Sequence, residues 1–436
     1  MLESFGLNVV LGDELASSSE HQAALLTLVN LCRRTFLGGV QVVNVPDVPS
    51  ITALAPGRRL IDAVIELGGL VSAEENPKWP AAIIGSARSS SAGPGWRLTW
   101  EGWRGGVVPR GYDDCLADES ESCLAPALAA AACAGEAFAY YAGDHALAGR
   151  RPSGMSLWKP GSDWLAPDPS EPALAFLPSR LWIIGLGNLG QAFAWLLALL
   201  PYSVAGEVEL VLHDFDVVGK SNDSTSLLSR TRDVGEKKTR MVARWLEERG
   251  FHTVLEERRF GSHTNRVDGE PGVALCGVDN ANTRLSLDRA GFDLVVEAGL
   301  GAGPDAFRSI SMHTFPGPRT PRDIWGRHES NADVRRSMPA YDALKQAGMD
   351  ECGLTRLASR SVGVPFVGLI AACLVVSELL RRLHGGVHID QLSTSVLALS
   401  DVELTERAAE PYRHGHVAIK TLESASTRLK CCNVFS

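Results

Sequence analysis

The sequence of 436 residues contains no uninterrupted apolar run of the roughly 20 residues that a membrane-spanning helix needs. The longest candidate, Phe366–Leu380, includes Glu378 and is followed by Arg381 and Arg382, so we expect a buried core helix there. The N-terminus lacks the charged-then-apolar layout of a signal peptide. These absences predict a cytoplasmic protein that does not engage a membrane.

No CxxC pair occurs among the nine cysteines, so a structural zinc site is not expected. The cysteines are scattered and odd in number, which is typical of reduced thiols in the cytosol. We expect Cys133, Cys276 and Cys373 to be core residues because each lies in an apolar stretch. An excess of basic residues is also missing: the net charge is −9, which argues against a general nucleic-acid binder.

The second half of the sequence alternates apolar strands with helices, which predicts an α/β fold with a mostly parallel sheet and helices on both faces. The first block of about 150 residues shows a similar alternation. The predicted strands are Gly39–Asn44, Pro80–Gly85, a hairpin over Gly95–Val108, Leu181–Ile184, Val208–His213, Val273–Cys276 and Leu294–Glu297. The predicted helices are Gln22–Arg34, Arg58–Leu67, Asn188–Leu200 and Lys237–Arg249. Weakly alternating residues near the C-terminus predict closing strands.

A segment rich in Pro, Ser and Asp, residues 155–174, is predicted to link a domain over 1–154 to a domain over 175–436. The stretches Leu128–Gly143 and Ile370–Gly385 each carry small residues, a Glu and a Gly seven positions after that Glu. Two alanine-rich core helices could share this pattern by chance, but we favour an internal repeat. The N-terminal copy would be degenerate, because it has no GxGxxG motif.

A glycine turn, GLGNLG, follows the predicted strand that ends at Ile184. Gly185 permits a tight turn, Gly187 lets a phosphate approach the backbone, and Gly190 lets helix and strand pack closely. Backbone N–H groups at the start of the helix favour an anion. Asp214 ends the next strand, where a carboxylate binds ribose hydroxyls in NAD enzymes and in some ATP enzymes. The turn therefore predicts a nucleotide site without choosing the nucleotide.

Three further motifs follow in order: DFDVVGKSN from Asp214, VGEKK from Val234 and VDN from Val278. Together with the glycine turn, they resemble the E1-like adenylating superfamily, which includes ThiF, MoeB and the ubiquitin-activating enzymes. The resemblance covers about residues 181–386 and implies a Rossmann-like adenylation fold that binds ATP and Mg²⁺. The N-terminal half resembles the inactive adenylation domain of ubiquitin-type activating enzymes. A pseudo-dimer within one chain and a homodimer of two chains both remain open.

The resemblance also implies roles for individual residues. Lys238 would neutralise phosphate charge, with Lys237 as the alternative, although a lysine at a helix start can simply be solvated. Asp279 would hold Mg²⁺, although it could instead cap the following helix. The remaining matches are Asp214 for the ribose, Asn222 near the phosphates, and Asp216 as a structural or accessory Mg²⁺ residue.

One motif departs from the family pattern. The family continues SNLxRQ, in which the Arg contacts ATP phosphates, whereas this chain has SNDSTS, with Thr225 and Ser226 in place of Arg and Gln. Either the activity is altered or another arginine serves. The candidates are Arg230 and Arg232 nearby, and Arg33 and Arg34, which could reach across from the opposing half as in other family members.

Ubiquitin-type activating enzymes transfer the acyl group from AMP to a cysteine, and the resemblance makes Cys352 the candidate. It lies in a polar crossover segment, residues 304–363, where Arg356 would favour the thiolate. The alternative is an ordinary loop cysteine. The implied function is adenylation of the C-terminal carboxylate of a ubiquitin-like protein, followed by a thioester at Cys352 and transfer to an E2-like protein. Such enzymes occur in bacterial conjugation systems, some of which act in phage defence.

Three other functions stay open from the sequence alone. A sulfur-carrier adenylyltransferase would use the same motifs, but the zinc cysteines that favour it are missing. A non-catalytic nucleotide-binding scaffold would explain the departure at Thr225 and Ser226. An NAD-dependent oxidoreductase would explain Gly185 and Asp214, but neither the SND nor the VDN motif.

Overall fold

The computed structural model describes residues 4–301, 306–326 and 363–419, together with positions 342, 343, 346 and 348. The N-terminal half forms a seven-stranded sheet of order β3-β2-β1-β4-β5-β6-β7. Its strands are β1 (Gly6–Leu11), β2 (Gly39–Val43), β3 (Leu70–Ser72), β4 (Ala81–Ile84), β5 (Gly95–Glu101), β6 (Arg104–Pro109) and β7 (Ser153–Ser156). Its helices are α1 (Ser19–Thr35), α2 (Leu60–Glu66) and α3 (Leu124–Ala142).

The C-terminal half forms an eight-stranded sheet of order β11-β10-β9-β12-β13-β14-β15-β16. The strands of this half are β8 (Phe176–Pro178), β9 (Arg180–Ile184), β10 (Glu209–His213), β11 (His252–Glu256), β12 (Val273–Cys276), β13 (Leu294–Leu300), β14 (Ser309–Phe315), β15 (His388–Ser395), β16 (Ala398–Arg407) and β17 (His416–Ala418). The helices are α4 (Asn188–Leu199), α5 (Asn222–Thr225), α6 (Lys238–Glu247), α7 (Ala281–Arg284), α8 (Pro321–Trp325) and α9 (Pro365–Leu383). Strands β8 and β17 pair with each other outside this sheet. The predicted α/β class is confirmed.

The two sheets repeat one topology. In each, five parallel strands are extended by antiparallel strands, and a long helix, α3 or α9, lies between the sixth and the seventh strand of the half's main sheet. Both long helices carry a buried carboxylate at the predicted position: Glu136 lies 3.7 Å from Arg151, and Glu378 pairs with Arg381. The internal repeat predicted from these two helices is therefore confirmed by the strand order.

The halves pack against each other within one chain. Gly135 of α3 leaves room for α9 and the β15–β16 turn, because a Cβ atom there would lie 2.7 Å from Val396. The rings of Phe138 and Phe366 lie 5.6 Å apart, and Arg308 pairs with Asp144 at 2.6 Å. Small residues thus let the two central helices approach, and apolar residues of both halves join a single core cluster.

Several sequence expectations meet the structure directly. Cys133, Cys276 and Cys373 are fully buried, as predicted. The predicted linker starts too early, at residue 155, because Met155 and Ser156 are buried and belong to β7, where they pair with β6. No helix among the described residues has the length and apolar character to cross a bilayer. Cys352 and Arg356 lie outside the described residues.

Candidate nucleotide-binding site

The glycine turn lies at the carboxyl edge of the C-terminal sheet, where the strand order reverses direction. Strand β9 pairs in parallel with β10 on one side and β12 on the other, with Ile184 opposite both His213 and Cys276. Backbone hydrogen bonds continue past the strand ends, from Gly185 N–H to the His213 carbonyl (2.8 Å) and from Gly277 N–H to the Ile184 carbonyl (2.9 Å). Open α/β sheets bind ligands in this crevice.

The three glycines of the turn have different reasons to be glycine. Gly185 has a φ of +83°, which side chains other than glycine rarely adopt. A Cβ atom on Gly190 would lie 1.8 Å from the carbonyl oxygen of Gly185. A Cβ atom on Gly187, which precedes α4, would meet open space. Gly187 thus borders the free volume next to the N-terminus of α4.

Asp214 ties the glycine turn to the end of β10. Its Oδ2 accepts a hydrogen bond from the Leu186 N–H at 2.6 Å, and its Oδ1 accepts one from the Asp216 N–H at 2.8 Å. The residue is only 8% exposed. Each carboxylate oxygen keeps a second lone pair, so Asp214 can fix the turn and still accept from a ligand hydroxyl.

Lys238 begins α6 and points back to the same edge. Its Nζ lies 3.1 Å from Asp216 Oδ2, and its backbone N–H donates to the Asp216 carbonyl. The lysine is mostly buried while the aspartate side chain is half exposed. Lys237 is committed elsewhere, since its Nζ donates to the Phe215 carbonyl at 2.6 Å. Lys238 is therefore the lysine held beside the predicted site residues.

Asn222 and the residues after it connect the site to the N-terminal half. Asn222 Oδ1 accepts from the Gly219 N–H at 2.8 Å, which shapes the turn before α5. Arg33 pairs with Asp223 at 2.7 Å. In the C-terminal half, Arg34 donates to the backbone carbonyls of Ser226, Leu227 and Ser229 at 2.9–3.1 Å. Both arginines reach the segment that departs from the family motif.

The other two arginine candidates lie differently. Arg230 is partly buried and donates to the Glu66 carbonyl of the N-terminal half at 2.8 Å. Burial is the main reason that the pKa of Arg230 is lowered, with the positive charge of Arg33 next. Arg232 has an exposed side chain beside Asp233. Arginines 33, 34 and 230 thus form one cationic group at the boundary between the halves.

Asp279 lies in the turn after β12 and is exposed. The following helix, α7, is capped by its neighbour Asn280, whose side chain accepts from the Asn282 N–H at 2.8 Å. Capping, the alternative role for Asp279, is therefore filled by another residue. A group of three or more His, Cys, Asp or Glu side chains placed to hold a metal is not found in the described part of the chain.

A buried ionic cluster behind the Asp279 turn escaped the sequence analysis. Glu297 is fully buried, with Arg284 Nε at 2.9 Å and His313 Nδ1 at 3.0 Å. Arg284 also donates to the carbonyl of Val278 at 2.7 Å and so fixes the backbone just before Asp279. The available signal was a Glu at the end of the predicted apolar strand Leu294–Glu297, because a buried carboxylate needs a cationic partner.

The first described residues after the crossover segment, Gly363 and Val364, lie beside the site. Asn188, at the start of α4, donates to the Val364 carbonyl at 3.1 Å. A Cβ atom on Gly363 would lie 3.2 Å from Asn188 Nδ2 and 3.5 Å from Thr225 Cβ. Cys352 precedes Gly363 by eleven residues, a length that spans at most about 40 Å.

The equivalent edge of the N-terminal half is occupied by its own side chain. Glu14 lies over the turns that follow β1 and β4, so that a Cβ atom on either Gly12 or Gly85 would come within 2.3 Å of its carboxylate. Ser86 N–H donates to Glu14 Oε1 at 3.0 Å. Burial raises the pKa of Glu14, but backbone hydrogen bonds, including that from Ser86, outweigh it and the pKa is lowered. An internal anion fills the pseudo-equivalent position.

Comparison with known proteins gives the chain's family. Models of the BilD N-terminal domain and the BilD C-terminal domain match residues 6–157 and 177–386. The bacterial E1-like protein BilD of Collimonas sp. (strain OK412) is 59% identical over 418 residues, which cover 95% of this chain and 91% of that protein. The catalytic subunit of the NEDD8-activating enzyme E1 of Caenorhabditis elegans is 27% identical over 151 residues, 34% of each chain.

Solved structures are more distant. Escherichia coli MccB with ATP is 14% identical, with a TM-score of 0.34 over 53% of this chain and 64% of that one. The two domain matches and the long alignment to the Collimonas protein decide the assignment. The chain belongs to the BilD family of bacterial E1-like proteins.

Proposed function

We propose that this E1-like chain binds ATP with Mg²⁺ and adenylates the C-terminal carboxylate of a ubiquitin-like protein. The observation that carries the proposal is the convergence of the glycine turn, Asp214, the Lys238–Asp216 pair and the Asp279 turn at one sheet edge. A site for NAD would need the turn and Asp214, but not a lysine held over an aspartate beside them.

The reaction needs positive charge where the phosphates change. A carboxylate oxygen of the partner attacks the α-phosphorus of ATP, a new P–O bond forms, and the bond to the bridging oxygen breaks to release pyrophosphate. Backbone N–H groups at the start of α4 and the ammonium of Lys238 would stabilise the charge that develops on the phosphate oxygens. Asp214 would hold the ribose.

The residues present fit Mg²⁺ that arrives with ATP. Such an ion keeps several waters and needs only one or two protein carboxylates beside the phosphates. Asp279 is an exposed carboxylate on a backbone turn fixed by Arg284, which makes it the expected ligand. Asp216 is half exposed and would be the accessory carboxylate once Lys238 turns to the phosphates. When bound, the ion neutralises phosphate charge and orients the leaving pyrophosphate.

Arg33 is the proposed substitute for the arginine that SNDSTS lacks. It comes from the other half of the same chain and is held by Asp223, one residue after Asn222. Arg34 is a poorer candidate, because its guanidinium already donates to four backbone carbonyls. When ATP binds, the guanidinium of Arg33 would move from the carboxylate of Asp223 to a phosphate, so that its charge is paired before and after binding.

A second step would form a thioester at Cys352. The thiol loses its proton to solvent, the thiolate attacks the acyl carbon of the adenylate, and AMP leaves. The segment that carries Cys352 ends at Gly363, beside Asn188 and Thr225 of the site. The C-terminal end of the segment that carries Cys352 is thus anchored beside the nucleotide site. Transfer from Cys352 to an E2-like protein would follow.

Only the C-terminal half would bind nucleotide. In the N-terminal half the carboxylate of Glu14 takes the place where an anion would lie, and the turn after β1 is occupied by a short 3₁₀ helix before α1 begins. The N-terminal half would serve instead to present Arg33 and Arg34 to the other half.

The test is an incubation with ATP, Mg²⁺ and a candidate ubiquitin-like protein that has a Gly-ending tail. AMP release and a non-reducing gel are recorded for the wild type, Cys352→Ala and Cys115→Ala, the last being an exposed cysteine in the N-terminal half. We expect a reductant-sensitive band with wild type and Cys115→Ala and none with Cys352→Ala. Partner-dependent AMP without any band would limit the function to adenylation, as in sulfur-carrier enzymes. Bound ATP without AMP release would favour a scaffold.

A further inference from the structure

An aromatic ring and a guanidinium stack on each other at the carboxyl edge, one residue from Asp214. The guanidinium carbon of Arg259 lies 4.1 Å from the centroid of the Phe215 ring. Both residues are exposed, and Phe215 keeps 38% of its surface in contact with solvent. Part of the ring and the guanidinium over it are therefore accessible to a ligand at this edge.

The neighbouring strands bring this pair to the nucleotide side of the sheet. Strands β10 and β11 are parallel, with His213 opposite Glu256, and the Asp214 N–H donates to the Glu256 carbonyl at 3.2 Å. Phe215 and Arg259 follow those strand ends and therefore leave the sheet at the same edge as Asp214.

The backbone on both sides of the stack is held. Lys237 Nζ donates to the carbonyl of Phe215 at 2.6 Å, and His213 Nε2 donates to the carbonyl of Arg258 at 2.8 Å. Phe260 is buried against His213, with ring centroids 5.4 Å apart. The stack is thus a fixed feature of the site edge.

Charge pairing does not explain where Arg259 lies. The two acidic residues before it are already engaged: Glu256 with Arg258 at 2.7 Å, and Glu257 with Arg240 at 3.0 Å. No ion pair of Arg259 is found among the residues that the structure describes. Its position over the ring leaves the outer face of a planar cation open to solvent.

We propose that the Arg259–Phe215 stack is the platform for the purine base of the nucleotide, which makes it the determinant of base selectivity. The inference rests on the proposed ATP function and adds the base to it. A guanidinium stacks on a base as readily as on an aromatic side chain, so Arg259 would lie between the base and Phe215. Asp214, next in the chain, would hold the ribose of the same nucleotide.

The experiment compares binding of ATP, CTP and inorganic tripolyphosphate, with Mg²⁺, to the full chain. Arg259→Ala is measured beside Arg258→Ala, a matched control that removes the same charge one position away. We expect Arg259→Ala to raise the Kd for ATP about tenfold and to reduce the difference between the Kd values for ATP and CTP. The Kd for tripolyphosphate should stay unchanged. Arg258→Ala should bind all three like the wild type.

Two more variants separate stacking from charge. Arg259→Lys keeps the charge and loses the plane, so we expect it to resemble Arg259→Ala. Phe215→Leu keeps apolar bulk and should weaken ATP several-fold, with unchanged thermal unfolding because the ring is exposed. Wild-type affinity in Arg259→Lys, or parallel losses for ATP and tripolyphosphate in Arg259→Ala, would overturn the base platform while leaving the ATP function intact. Wild type that binds none of the three ligands would overturn both.

Discussion

Arg33 of the N-terminal half forms a bidentate ion pair with Asp223 of the C-terminal half. Nη2 lies 2.7 Å from Oδ1 and Nη1 lies 3.4 Å from Oδ2, and each side chain is about three quarters buried. Asp223 belongs to α5, a helix of four residues that cannot be stable by itself. The pair therefore fixes the segment after Asn222 from outside its own half.

The first prediction separates a role of Arg33 in catalysis from a role in holding α5. Arg33→Ala removes the cation, whereas Asp223→Asn breaks the same ion pair but leaves the cation. We expect Arg33→Ala to lower the rate of partner-dependent AMP formation at least about tenfold, and Asp223→Asn to lower it less than about threefold. Equal losses in the two variants would assign Arg33 a purely structural role.

The second prediction uses the glycine turn. A Cβ atom on Gly190 would collide with the Gly185 carbonyl, while one on Gly187 would enter open space. Gly190→Ala should therefore lower the unfolding temperature, and Gly187→Ala should unfold like the wild type. If the ATP phosphates lie against Gly187, the added methyl group of Gly187→Ala would occupy part of their space. We therefore expect this variant to bind ATP several-fold more weakly although its stability is unchanged. Calorimetry and ATP titration check both parts, and unchanged ATP affinity in Gly187→Ala would place the phosphates elsewhere.

Much of this architecture could be predicted from sequence because it follows from local patterns. Periodicity and glycine spacing located β9, α4 and β12 to within one residue. The repeat could be inferred from Glu136 and Glu378, since a buried carboxylate in a helix of small residues is rare.

The remaining features depend on pairings between distant segments. The sequence around Glu14 does not predict that its carboxylate lies against Gly85. The sequence around Arg33 likewise does not predict an ion pair with Asp223. The ionic cluster around Glu297 joins residues from β13, β14 and α7, and its partners become neighbours only when the sheet forms. Contacts of this kind are set by topology, which local propensity does not encode.

The third prediction concerns the internal anion of the N-terminal half. Glu14→Gln keeps the shape and removes the charge, and we expect it to lower the free energy of unfolding at pH 7 by about 1 kcal/mol. Because the pKa of Glu14 is lowered on folding, its contribution is fully present above its ordinary pKa and is lost as pH falls through the folded value. Urea unfolding at pH 7 and at a series of pH values below the ordinary pKa of glutamate should show the difference between the two proteins shrinking as the pH falls. A constant difference would mean that the charge is not what stabilises this turn.

The fourth prediction tests whether the Glu297 cluster holds the Asp279 turn. Glu297→Gln leaves Arg284 buried without its carboxylate, and breaking a buried pair in this way costs about 3–5 kcal/mol. The matched control is Glu256→Gln, which removes a partly exposed carboxylate from Arg258 and should cost under about 1 kcal/mol. Since Arg284 fixes the Val278 carbonyl, we also expect Glu297→Gln to require more Mg²⁺ for half-maximal AMP formation at a temperature where it stays folded. A destabilised variant with an unchanged Mg²⁺ requirement would show that the cluster supports the sheet and leaves the position of Asp279 unaffected.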